Sequence, residues 1–225
     1  MTQITPSPVF PYGPKEIEEL ASRDERLAQA IRRIGLIQRP IVPDLFEALI
    51  SSIVSQQIAK KAYETVWNRL KTLTGPVTAR NILSLDRDCI KACGLSYKKT
   101  DWILTIAGQV DSGELDLTQL HDLPDEEVIR RLSQLPGIGR WTAEMLLIFS
   151  LQRPDVLSYG DLAIRRGIQT LYGMEALTKA QFEEIRRRLS PYNSIASLYF
   201  WELSHEPIPS VAVAQQDQGS PEATE

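Results

Sequence analysis

Apolar residues recur at three- and four-residue intervals through most of this chain, and no stretch of useful length alternates with the two-residue period of a strand. Pro14, followed by acidic residues, opens a first predicted helix, and a second spans about 24–34 and stops at Gly35. Asp44 is placed to cap a third, with Glu47 as its capping-box partner and Leu45, Leu49 and Ile53 on the apolar face. Ser55-Gln56-Gln57 interrupts that run, and the next helix is expected over about 58–73. Gly75-Pro76 is a break, and short helices at about 78–84 and 86–93 end at Gly94. Leu95 to Lys99 leads into a helix that runs through Trp102, Ile103 and Ile106 to about Val110. Helical patterns follow at 124–133, 141–150, 161–172 (closed by Gly173), from Thr178 with Gln181 as box partner, and at about 191–205. The chain therefore reads as all-α, with about ten short helices.

Three segments follow from this pattern: a proline-rich, extended arm at 1–13, one helical domain at 14–205, and a tail at 206–225. The tail is rich in Gln, Ser, Pro and acid, and reads as disordered. With 225 residues, 43% of them hydrophobic, the domain has material for a substantial core. No apolar run approaches the length of a membrane helix, and the start lacks a signal-peptide pattern, so a soluble, intracellular protein with no membrane partner is expected. Cys89 and Cys93 have no second ligand pair or neighbouring histidine to complete a metal site and read as small buried hydrophobes. A net charge of −4 weighs against nucleic acid, although cations cluster at Lys98-Lys99, Arg130-Arg131, Arg165-Arg166 and Arg186-Arg187-Arg188.

The stretch with the most chemistry is Leu135-Pro136-Gly137-Ile138-Gly139, between two helical patterns too close together for anything but a tight turn. Gly137 and Gly139 are expected to supply positive φ or close backbone approach. The second helix, carrying Trp141 and Thr142, then begins with unpaired N–H groups at a positive dipole end, a site suited to a phosphate. An ordinary glycine-capped turn is the plain alternative; the spacing matches the helix-hairpin-helix signature, a clamp on the DNA backbone that ignores sequence. Asp161 follows Gly160 at a helix start and reads first as an N-cap. A charged carboxylate there could also stabilise a developing positive sugar. Trp141 and Trp201 read as core aromatics or as faces on which a base could stack.

Leu135 to Ala143, with Asp161 twenty residues after Trp141, resembles the helix-hairpin-helix, Gly/Pro, Asp (HhH-GPD) superfamily of DNA glycosylases, and within it the alkylbase, AlkA-like 3-methyladenine branch. The likeness extends to the paired glutamines at 56–57, the basic turn at 94–99 and the helix at 190–201, about Pro43 to His205 in all. It implies two helical lobes around a cleft, double-stranded DNA with damaged bases as partner, a monomer, and a cytoplasmic location, associated with the nucleoid in a bacterium, or a nuclear one in a eukaryote. Position by position, it implies Asp161 as the catalytic aspartate, Trp141, Trp201 and Met145 as the base pocket, and Gln57 as the wedge that fills the vacated duplex. Gly137, Gly139, Thr142, Lys98 and Lys99 would hold the DNA backbone. The carbonyls of Ser133, Leu135 and Ile138 would hold a monovalent Na+ or K+, with no cofactor for catalysis.

Relatives with lyase activity carry a lysine where this chain has Trp141, so hydrolysis by water without strand cleavage is implied. Two cysteines cannot supply the four ligands of the iron–sulfur cluster of other branches. Residues 1–40 read helical rather than as the β-rich subdomain of longer relatives. A glycosylase for deaminated or oxidised bases and a non-catalytic hairpin module remain as alternatives.

Overall fold

The computed structural model describes residues 8–208. Among them it contains twelve α-helices: α1 Pro14–Arg23, α2 Glu25–Ile34, α3 Leu45–Ser55, α4 Lys60–Thr74, α5 Ala79–Leu83, α6 Arg87–Ala92, α7 Tyr97–Asp111, α8 Asp125–Leu132, α9 Arg140–Phe149, α10 Leu162–Tyr172, α11 Lys179–Leu189 and α12 Asn193–Leu203. A 3-10 turn at Thr118–Asp122 is the element the pattern did not predict. It is too short to show a period, and it is nucleated locally by Asp116, whose carboxylate accepts from the Thr118 N–H and hydroxyl at 2.9 and 2.6 Å. By backbone contact the helices fall into two compact units, one built on Arg39–Arg153 and the other on Pro11–Gln38 with the chain from Pro154 onward.

In the first unit α3 is the centre, packing on α4, α7 and α9. Leu49, Ile50, Ile53 and Val54 are fully buried, and each such side chain contributes about 1.5–3 kcal/mol relative to exposure. Asp44 caps α3 by accepting from the Glu47 N–H at 2.8 Å, but Glu47 returns no bond to Asp44, so the expected capping box is a one-sided cap. The helix expected from residue 58 begins at Lys60 instead, leaving Ile58 exposed in the turn after α3. The chain before this unit's helices is not loose where it is described: Ile41 N–H donates to Pro8 O and Phe10 N–H to Arg39 O, at 2.9 and 2.8 Å. Residues 1–7 and the tail from 209 lie outside the described residues.

In the second unit α10 and α12 lie closer than side chains allow elsewhere. A Cβ on Gly167 would stand 2.0 Å from the Phe200 carbonyl oxygen, so only glycine permits this crossing. Most of α12 is buried, polar Asn193, Ser194 and Ser197 included. Those polar groups hold the connector that leads into α10. Asn193 Nδ2 and Ser190 Oγ both donate to the Asp155 carboxylate at 2.6 Å, Val156 N–H donates to Ser194 Oγ at 3.0 Å, and Ser197 Oγ donates to Val156 O at 3.1 Å. The capping box between Thr178 and Gln181 forms at α11 as the sequence predicted.

Candidate functional site

The hairpin between α8 and α9 is built as its glycines require, though they serve different ends. Gly137 has φ +81°, a left-handed conformation, and a Cβ there would meet Trp102 Cε3 at 2.4 Å. Gly139 has φ −95° and open space where a Cβ would be, so neither strain nor crowding within the chain demands glycine there. It sits at the N-cap of α9, where no side chain caps the helix. Arg140 fastens the two helices, with Nη1 and Nη2 on the Glu126 carboxylate at 3.0 and 2.6 Å and Nε on Glu144 at 3.0 Å. The Leu135 carbonyl accepts from the Ile138 N–H at 3.1 Å, while the Ser133 and Ile138 carbonyls accept no hydrogen bond within the first unit. Ser133 is the C-cap of α8, where the dipole favours positive charge. Hard, neutral oxygens of this kind fit Na+ or K+.

Beside the hairpin the first unit holds a cavity of about 520 Å³. Trp141, Met145 and Phe149 line it from successive turns of α9, and Ser51, Ser52 and Ser55 from α3. Gln56, Gln57 and the buried Thr142 complete the polar lining, and no charged side chain is part of it. Trp141 is 49% exposed despite its size, which is unusual for a tryptophan with only a structural role. Ser51 Oγ and the Tyr63 hydroxyl share a hydrogen bond of 2.8 Å. Gln57 is one of two non-glycine residues with positive φ among those described, at +55°, a conformation that costs a side-chain-bearing residue about 1–2 kcal/mol.

The two lysines expected on DNA diverge. Lys98 is exposed and stands 4.9 Å above the Trp102 ring. Lys99 turns inward and donates to Val54 O at 2.9 Å and Gln56 O at 2.6 Å, capping the end of α3, and burial pushes its ammonium pKa down. It has chain carbonyls for partners where the resemblance implies a phosphate.

In the second unit Asp161 is the N-cap of α10. Its carboxylate accepts from the Ile164 N–H at 2.9 Å, and the residue is 7% exposed. Its position follows from the Asp155 network before it and from the Gly167 crossing after it. Trp201 is half-buried on α12 of the same unit.

The profile of the "HhH-GPD superfamily base excision DNA repair protein" family matches residues 50–191, which include the hairpin and Asp161. The chain belongs to this superfamily. It is 37% identical over 164 residues to DNA-3-methyladenine glycosylase 1 of Schizosaccharomyces pombe, covering 71% of this chain and 72% of that one. Its fold matches the crystal structure of a DNA-3-methyladenine glycosidase from Bacillus halodurans with a TM-score of 0.78 and 33% identity, over 90% of this chain and 92% of that one. An S. pombe 3-methyladenine DNA glycosylase in complex with abasic DNA matches at TM-score 0.71 and 34% identity, over 84% and 95% of the two chains.

In this HhH-GPD protein the pattern and the resemblance pointed to Trp141, Met145, Thr142 and Gln57, and all four line one cavity. They gave no role to Gln56, whose Nε2 donates to Gly137 O at 2.7 Å, or to Trp102 beneath the hairpin. Gln56 adjoins a singled-out residue and Trp102 lies one turn after Lys98, but which distant residues they touch is not written in local spacing.

Proposed function

We propose that this protein is a monofunctional DNA glycosylase that removes alkylated bases, such as 3-methyladenine and 7-methylpurines, and leaves an abasic site in base excision repair. The observation that carries the reading is the uncharged cavity beside the hairpin, walled by Trp141, Met145 and Phe149. Its volume is in the range of small-molecule sites. An alkylated purine brings its own positive charge, which an aromatic face attracts without a counter-ion. The names of the similar proteins support the same substrate class.

Base removal from a duplex requires the nucleotide to leave the stack. The hairpin would grip the backbone, Gly139 allowing a phosphate close to the N-terminus of α9. Gln57 would occupy the gap, and the extruded base would stack on Trp141, with Trp201 as a further aromatic. A cationic base departs as a neutral group, so a strong general acid is not needed and one carboxylate suffices where ordinary glycosidases use two. Asp161 would stabilise the oxocarbenium-like sugar and orient the attacking water. With Trp141 in place of an amine there is no Schiff base, and strand cleavage is not expected. The Ser133, Leu135 and Ile138 carbonyls would hold a monovalent cation that strengthens the hairpin's hold on a phosphate.

The test is a base-release assay on duplexes containing 7-methylguanine, 3-methyladenine, uracil, hypoxanthine or 8-oxoguanine. Release of the alkylated purines alone or foremost is expected. Release confined to uracil, hypoxanthine or 8-oxoguanine would move the protein to another specificity, and DNA binding without any release would leave it a non-catalytic module.

A further inference from the structure

The turn after α3 is held from two sides, by Gln56 and by Lys99, whose donors are taken up by chain carbonyls rather than left for a phosphate. Gln57 sits there with φ +55°, and the peptide before it is clamped. Lys99 of α7 donates to Val54 O and Gln56 O at 2.9 and 2.6 Å, so one ammonium ties the last turn of α3 to the carbonyl immediately before Gln57. From the other side, Gln56 Nε2 donates to Gly137 O at 2.7 Å, in the hairpin itself. Gly137 in turn rests on Trp102, which is on α7 three residues after Lys99. The first turns of α7 thus support the hairpin through Trp102 and the Gln57 turn through Lys99, and Gln56 closes the loop between them.

An unfavourable backbone conformation persists only where its surroundings over-determine it. Without these bonds the turn would relax, and Gln57 would change direction while the hairpin stayed in place. We infer that Lys99 and Gln56 are positioning residues that hold Gln57 in its projecting conformation and keep it in register with the hairpin. The inference rests on the reading of Gln57 as the wedge. Adjacent lysines then have separate tasks, Lys98 on the surface and Lys99 in the clamp.

A wedge matters only when there is a paired base to displace. Single-turnover release of 7-methylguanine is therefore measured from two duplexes, one with cytosine opposite the lesion and one with an abasic site there. Gln57→Ala should slow the paired substrate selectively. Lys99→Met, which keeps an unbranched stem of similar reach but removes its donors, should reproduce that selectivity, with about tenfold slower release from the paired duplex. Release opposite the abasic site should stay within about threefold of wild type. Lys99→Arg, able to donate to both carbonyls, should restore the paired rate. Gln56→Met reads the clamp from its other end if Lys99→Met does not fold; because Gln56 also lines the cavity, the measure is the ratio of the paired to the unpaired rate, which should fall as for Gln57→Ala.

If Gln57→Ala is selective while Lys99→Met and Gln56→Met slow both duplexes equally, or neither, the wedge stands and the clamp is overturned. Loss of affinity for undamaged duplex in Lys99→Met without the asymmetry would make Lys99 a phosphate contact and likewise overturn it. If Gln57→Ala itself is unselective, the wedge reading fails and the inference goes with it.

Discussion

Gly137 lies against the face of Trp102 so closely that a Cβ would stand 2.4 Å from Cε3, and its φ of +81° is one that side chains avoid. Gly139, two residues on, has neither constraint. The hairpin therefore needs one glycine to fold, and the other has room to spare on its outer side.

Replacing each with alanine separates those needs. Gly137→Ala should destabilise by about 2 kcal/mol or more, combining the left-handed penalty with an overpacked ring. Gly139→Ala should cost about 1 kcal/mol or less, through the N-cap preference alone, yet weaken binding to undamaged duplex, because its methyl stands where a phosphate would approach. Thermal unfolding and fluorescence-anisotropy titration measure the two effects. Equal stability losses would refute the distinction.

Asp161→Asn should leave the α10 cap intact, since Asn and Asp cap about equally well, and should keep DNA affinity. Base release should fall by roughly 10²–10³, the scale on which a preorganised electrostatic contact is lost. Asp161→Ala should lose the same activity and, in addition, about 0.5–2 kcal/mol of stability with the cap. Release of 7-methylguanine near the wild-type rate by Asp161→Asn would remove the aspartate from the mechanism.

Trp141→Lys places an amine where lyase-active relatives carry one. Without the rest of that geometry it should yield no β-elimination product, while base release declines through the lost stacking surface, worth about 1–3 kcal/mol. Borohydride trapping on a lesion-containing duplex is the assay, and a strong covalent adduct would contradict this expectation.

Gly167→Ala should disrupt the second unit, because the new Cβ would press on the Phe200 backbone at 2.0 Å and neither helix can yield by rotating a side chain. A loss of about 3 kcal/mol or more is expected, overpacking of a backbone crossing lying at the upper end of its range. Hydrogen exchange should show the loss in α10 and α12.

Hydrogen bonds from Arg130 and then Arg131 hold the Glu127 carboxyl down to about 2, below its ordinary value near 4.5. A depressed carboxyl stabilises the folded state above its unfolded pKa, and that contribution is lost as pH falls through the folded one. Glu127→Gln should therefore flatten the acid limb of the stability curve between about 4.5 and about 2. Urea midpoints measured across that window test it, and unchanged curvature would show that the ion pairs add nothing.

The helices, their caps at Asp161 and Thr178, and the family are legible in the chain alone, because each is written in local spacing: an apolar period, a capping residue, a glycine pair at a fixed distance from an aspartate. The sequence, through its resemblance, also named Trp141 and Met145 for the base pocket, Thr142 for the backbone and Gln57 for the wedge, and these four line one cavity, while Trp201, named for the pocket too, is half-buried on α12 of the second unit. The one-sided cap at Asp44, the later start of α4 and the turn at 118–122 escaped it, since helix ends depend on bonds that a periodicity does not carry. Tertiary contacts settle the rest: Lys99 faces inward while Lys98 does not, Gly137 rather than Gly139 is sterically required, and Gly167 sets the crossing of α10 and α12. Those facts depend on which distant residue arrives at 2 to 3 Å, and an amide, an ammonium or a missing Cβ looks the same in sequence whatever it comes to touch.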